Sequence, residues 1–177
     1  HNRLMEMILL EAKRIPNADG GTLYLYNEEG GTLSFEIMRN DTLNIAMGGT
    51  TEQNIPFPPL NTFEPETQEA NYNNAATAVA LTKEKSNIHD AYKVEKYDFS
   101  GTKAFDEKTG YRSTSFLTIP LLNRADDVIG VVQLVNARDE NGNVVPFDRN
   151  VESIIGALAG QAAVALENQL LVQQLRT

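Results

Sequence analysis

The chain contains no cysteine. That excludes disulfides, thiolate-held zinc, thiol nucleophiles and thioether-linked chromophores together. Basic residues are also scarce: 15 Lys and Arg stand against 24 Asp and Glu, a formal net charge of −9. Nucleic acid and anionic membrane both call for clustered Lys or Arg, so neither is expected as a partner. No apolar run approaches the roughly 18 residues that a bilayer-crossing helix needs. No secretory leader precedes the first helical stretch, so the expected location is the cytoplasm. Histidine is nearly missing too. His89 is the one histidine besides the terminal His1. With no second ligand at metal spacing it points to a surface or strand-end role rather than to metal or haem. No Ser-His-Asp set can be assembled either, and catalysis is not expected.

What is present is an ordinary globular composition. The 177 residues are 41% hydrophobic and 22% charged, which suits one domain with one core over residues 1–177. Leu4, Met5, Ile8, Leu9, Ala12 and Ile15 recur at helical spacing, predicting an amphipathic helix over residues 1–16, ending near Pro16. Leu23 and Leu25, then Leu33, Phe35 and Ile37, alternate with other residues on either side of a Glu28-Glu29-Gly30-Gly31 turn, a hairpin pattern. Between residues 40 and 74 the pattern dissolves into prolines, asparagines and threonines, predicting a long connection with at most short structure. Its apolar residues, among them Ile55, Phe57 and Leu60, suggest that part of it folds back.

Asn71, Asn73 and Asn74 offer N-caps for a helix over residues 75–83. Residues 87–91 read as a short strand. A turn of helix is expected over residues 103–109, stopped by Gly110 in a left-handed conformation. A second hairpin joins residues 116–122 to residues 127–136. The strand at residues 128–135 is apolar on both faces, with Val128, Val132 and Leu134 on one and Ile129, Val131 and Val135 on the other, so it belongs mid-sheet. Gln133 interrupts the second face. The last helix, residues 147–177, carries Leu171, Val172 and Leu175 past the length one domain needs, which reads as a connector or a dimer seam. Asp126-Asp127 and Asp139-Glu140 sit in turn-like sequence and read as solvated, and the Gly30-Gly31 and Gly48-Gly49 pairs as plain turns.

The motifs then narrow the fold. N-I-H-D-A-Y (residues 87–92), F-D-E-K-T-G-Y-R-S-T-S-F-L-T-I-P (residues 105–120) and V-I-G-V-V-Q-L-V-N (residues 128–136) follow one another in order. This series resembles the GAF domains of cyclic-nucleotide phosphodiesterases, cyclases and bacterial regulators. The D-F-S-G-T insertion at residues 98–102 and N-D-T-L-N-I at residues 40–45 look most like the modules of bacterial HD-GYP phosphodiesterases. The resemblance implies an α+β fold: a central antiparallel sheet with the terminal helices on one face, and a ligand pocket with short helices and the long loop on the other. It implies a sensory role, with a small-molecule effector such as a cyclic nucleotide, an output domain in cis, and a homodimer through the terminal helices. A ligand-free dimerisation or spacer module is the alternative. Stand-alone members that reduce methionine sulfoxide use cysteines, which this chain lacks.

By the same resemblance, Asp106, Thr109 and Ser113 match polar contact residues. Ala75 and Ala76 match the start of a helix whose backbone approaches a phosphate. Gln133 falls where a strand residue faces the purine, and Thr22 lies on the first-strand wall. Helix N–H groups suit an anion, and hydroxyls suit a purine edge or ribose. Two uses stay open for Asp106, Thr109 and Ser113, since the same residues can cap a local turn. Gln133 can likewise pair with a neighbour instead of a ligand. One signature is incomplete. In the family's N-K…F-x-x-x-D-E pattern, Asn136, Phe147 and Glu152 are kept, while Ala137 and Val151 stand in for the Lys and the Asp.

Overall fold

The structure, a computed structural model, describes residues 2–176. The expected helical spans begin and end on His1 and Thr177, which lie outside the described residues.

Helix α1 (Asn2–Arg14) stops before Pro16, because Asn17 takes a positive φ of 50° and turns the chain. The amides of Asn17 and Ala18 then close on Arg14 O and Lys13 O. Strands β1 (Gly20–Asn27) and β2 (Thr32–Asn40) form the first hairpin. The long connection holds only β3 (Ile45–Gly48) and the two-residue β4 (Leu60–Asn61), both on β2. Helix α2 (Ala75–Thr82) leads to β5 (Ser86–Ile88), and α3 (Ser100–Thr109) ends at Gly110 with φ 75°. Strands β6 (Phe116–Leu122) and β7 (Val128–Val135) form the second hairpin. A small β8–β9 pair (Ala137–Arg138 and Val144–Val145) precedes the 28-residue α4 (Arg149–Arg176). Phe147 and Asp148 precede α4 rather than opening it, since Asp148 Oδ1 accepts from Val151 N at 2.8 Å as a cap does.

The main sheet is antiparallel throughout, in the order β3-β2-β1-β7-β6-β5. On one face α1 and α4 close over Leu23, Ile37, Leu117, Leu121, Val132 and Leu134. Each such side chain, fully buried, contributes on the order of 1.5–3 kcal/mol. By length and composition α4 could cross a bilayer, yet Ile155, Ala159, Ala162, Ala163 and Leu166 pack it against this core. Past Leu166 it projects, leaving Leu171, Val172 and Leu175 exposed.

The second face carries α2. Its alanine-rich sequence lets it lie flat on the sheet, with Ala76, Val79 and Ala80 against Tyr24, Leu33 and Val131. Ala75 and Ala78 meet Tyr97, Phe99 and Phe116. The long connection returns over the same face at β2, where Phe57 stacks on Phe35 with centroids 5.5 Å apart.

Strict alternation fails at two places. On β2, Leu23 faces Ile37 but Tyr24 faces Phe35, so Glu36 is bulged out of register. On β7, Leu121 faces Gly130 but Leu122 faces Val128, so Ile129 is skipped. Val128 therefore packs with Val131 on the second face and Ile129 with Val132 on the first, the reverse of the expected assignment. Gly130 makes the kink possible: a Cβ there would sit 2.5 Å from Tyr24 O.

Candidate functional site

The register lines up a polar row across the second face. Ser86 pairs with Thr118, Thr118 with Gln133, and Gln133 with Thr22. Directly opposed residues share a face, so these side chains form one stripe between apolar neighbours. Thr118 is fully buried, while Gln133 and Thr22 are half-buried. Gln133 Nε2 donates to Thr118 Oγ1 at 3.1 Å, and Tyr97 Oη donates to Ser86 Oγ at 3.2 Å. Of this row the expectations named only Thr22 and Gln133. Thr118 and Ser86 become visible once the hairpin register is known, and Tyr97 only once the chain folds back on them.

Ala75 and Ala76 do open α2 on this face, both buried. Asn74 is the cap: its backbone is extended (φ −100°, ψ 135°), and its Oδ1 accepts from Ala76 N at 2.9 Å and Thr77 N at 3.2 Å. The Ala76 amide, expected to meet a phosphate, is thus engaged by Asn74. Thr77 Oγ1 donates to Asn71 O at 2.7 Å and ties the helix to the end of the long connection.

Asp106 and Ser113 meet each other. Asp106 is 2% exposed and accepts from Tyr92 Oη at 2.6 Å, Ser113 N at 2.8 Å and Ser113 Oγ at 2.8 Å. The bond to Asp106 is the main reason the Tyr92 phenol is held above its usual pKa. Thr109 is exposed on the far side of α3, its hydroxyl donating back to Phe105 O at 2.8 Å. The structure therefore pairs Thr22 with Gln133 on the face that also carries Ala75 and Ala76, and joins Asp106 to Ser113, while Thr109 is exposed.

Asn136 is the strongest residue that the site expectations left out. It is 1% exposed, with a positive φ of 59° that asparagine tolerates. Its Oδ1 accepts from Thr114 N at 2.7 Å and Ser115 N at 3.1 Å. Its Nδ2 donates to Tyr111 Oη at 2.9 Å and Arg112 O at 2.8 Å. The T-G-Y-R-S turn is thus hung on one side chain. At the departures from the family signature, Ala137 is buried and Val151 packs against the same cluster, so apolar contact occupies the place of an ion pair.

The clefts of the surface lie apart from these residues. One of about 560 Å³ is lined by Lys83, Lys85, Ile119, Pro120, Gly156 and Gly160, and one of about 430 Å³ by Phe35, Glu36, Gly48, Gly49 and Ile55. A third, of about 580 Å³, is lined by Asn87, His89, Phe147 and Arg149. None of the candidate site residues lines any of the three. Helix α2 packs on the same face as the polar row, against β6 and β7.

The profile of the GAF domain family matches residues 2–166. A cGMP-specific 3',5'-cyclic phosphodiesterase of Drosophila pseudoobscura pseudoobscura is 25% identical over 175 residues, covering 96% of this chain and 14% of that enzyme. The chain thus spans a small part of the curated relatives it matches. Among solved structures, the GAF domain of an Acinetobacter phosphoenolpyruvate-protein phosphotransferase superposes with a TM-score of 0.65 at 16% identity, covering 96% of this chain and 84% of that one. A GAF domain/HD domain protein of Geobacter sulfurreducens gives a TM-score of 0.63 at 14% identity, with 96% and 94% covered.

Proposed function

The chain belongs to the GAF domain family, and from that premise we propose that it is a cytoplasmic regulatory module that binds a small-molecule effector on the second face of its sheet. The observation that carries this reading is the polar row Thr22–Gln133–Thr118–Ser86 set into an otherwise apolar face, the face that carries α2. Burying an amide and hydroxyls there costs free energy that apolar residues would not, and a bound purine-like edge would pair with them. A cyclic nucleotide is one such ligand. Because α2 packs on that face against β6 and β7, where Thr118 is already buried, binding requires α2 and the connection tied to it at Asn71 to lift and close again. The change would pass through α1 and α4 to an output domain in cis.

Thermal melting of the purified chain with cAMP, cGMP, cyclic di-GMP and a metabolite library tests the reading. A ligand at 100 times its Kd adds about 2.7 kcal/mol if it binds only the folded state. The expected result is a shift for one chemical class that Gln133→Leu abolishes. A flat screen overturns it.

A second reading is favoured by the projecting end of α4, where Leu171 is 51% exposed and Leu175 88%. There the chain would act as a ligand-free dimerisation and spacing module. It requires a homodimer through the terminal helices, and sedimentation that stays monomeric across a dilution series removes it.

A further inference from the structure

We propose that Tyr111 is a positioning residue that couples the T-G-Y-R-S turn to the end of helix α1, through a chain of hydrogen bonds and ion pairs that pivots on its hydroxyl and is buried at Asn136 and Asp19. The role of that coupling in signalling rests on the sensing reading; the coupling itself does not. The chain of contacts is continuous. Asp106 holds Ser113, and Asn136 holds Arg112 O and the amides of Thr114 and Ser115. Asn136 Nδ2 also donates to Tyr111 Oη at 2.9 Å, and that hydroxyl donates to Asp19 Oδ2 at 2.6 Å. Asp19 Oδ1 accepts from Arg138 Nη1 at 3.1 Å and Thr42 N at 3.2 Å. Arg138 Nη2 reaches Asp41 Oδ2 at 3.2 Å, and Asp41 Oδ1 accepts from Lys13 Nζ at 3.0 Å, in the last turn of α1.

Burial makes the middle of this series a link. Asn136 and Asp19 are 1% and 3% exposed, while Arg138 is partly exposed and Asp41, which joins it to the buried Lys13, is exposed. Water has little access to replace a lost partner at Asn136 and Asp19, so breaking the Tyr111 contact there leaves its partners unpaired instead of being absorbed locally. The contacts also join distant parts of the chain: Tyr111 and Asp19 are 92 positions apart, and Arg138 and Asp19 are 119 apart. Among the described residues, the Tyr111 ring joins none of the apolar clusters. Its hydroxyl is what it contributes. The phenol sits above its ordinary pKa, first through burial and then through the bond to Asp19, and so keeps its proton to donate. Asp19 adds backbone anchors, its amide donating to Asn136 O and its carbonyl accepting from Asp41 N. A displacement of the turn at Ser113 therefore reaches Asp19 without crossing the apolar core, and from there the end of α1, where Ala18 N donates to Lys13 O and the exposed Asp41 pairs with Lys13 Nζ.

Native-state hydrogen exchange on the whole chain, without ligand, tests the link. The probes are the amides of Ala18, Asp41 and Thr42, whose acceptors are Lys13 O, Asp19 O and Asp19 Oδ1. Tyr111→Phe removes only the hydroxyl and is expected to speed their exchange about tenfold or more, with the centre of β7 unchanged. Coupling is reciprocal, so Lys13→Met is expected to speed exchange at the amides of Tyr111 and Thr114. A denaturation cycle combining the two substitutions is expected to be non-additive. Acceleration confined to residues 106–115 in Tyr111→Phe, or an additive cycle, overturns the proposal. If Tyr111→Phe does not fold, Lys13→Met decides by the same amides. A flat ligand screen leaves this result standing, and failure here leaves the ligand screen standing.

Discussion

Glu36 shows how one irregular residue acquires a measurable property. Bulged out of the β1–β2 register, it lies half-buried beside Gly48 and Gly49, and burial raises its pKa above the ordinary carboxyl value. The folded chain then holds this proton more tightly than the unfolded chain does. Its contribution favours folding below the unfolded pKa of about 4.3, and is lost as pH rises through the folded value. Glu36→Gln is therefore expected to stabilise the protein at pH 7 and to change little at about pH 3.5. Urea midpoints at the two pH values check this, and an equal offset at both would exclude burial as the cause. Neighbouring Gly48 explains why the turn beside it is glycine: φ is +76°, and a Cβ would lie 2.0 Å from Glu36 O. The sequence showed a Gly-Gly turn there, but not the strand passing behind it.

At the scale of elements, local signals and tertiary ones separate cleanly. Three asparagines were equally good caps for α2 by residue type, and the chain uses Asn74, whose Oδ1 binds two amides. Asn74→Ala is expected to cost about 1 kcal/mol, with a range of roughly 0.5–2. Chemical denaturation measures it, and a change near zero would mean that the neighbouring asparagines take over the cap. The Gly110 stop of helix α3 follows from local chemistry and was legible, while the helix itself starts at Ser100, three residues before the expected 103. The identity of the residues facing outward on α3 was not, because Thr109 lies within a motif that its position on the helix overrides. In β7 the alternation of Val128 to Val135 located the strand correctly and misassigned its first two faces. A bulge is a property of the pair of strands, and the pattern of one strand does not contain it.

For the whole molecule, one sheet carries packed side chains on both faces, so both clusters depend on β7. Leu134, near the end of β7, is fully buried on the first face, and Leu134→Ala is expected to cost about 2–5 kcal/mol. The loss should appear as a single earlier transition by far-ultraviolet circular dichroism and by tyrosine fluorescence together. Two separated transitions would show that the faces unfold independently.

By itself the sequence determined the main helices and the two hairpins, because period, caps and turn residues are local, and the family with its antiparallel α+β class, because the motifs run in order along the chain; the short strands β3, β4, β8 and β9 came only with the fold. Thr22, Gln133, Ala75 and Ala76 were named together only through the family resemblance, and the structure shows them on one face of the sheet. Only the tertiary structure decided that Asp106 pairs with Ser113, that Thr118 and Ser86 extend the row, and that Tyr111, Asp19, Arg138 and Lys13 meet. Apart from Asp106 and Ser113, which are 7 positions apart, those contacts join residues at least 15 positions apart, and their worth comes from partial burial and strand register, which exist only once the chain has closed on itself.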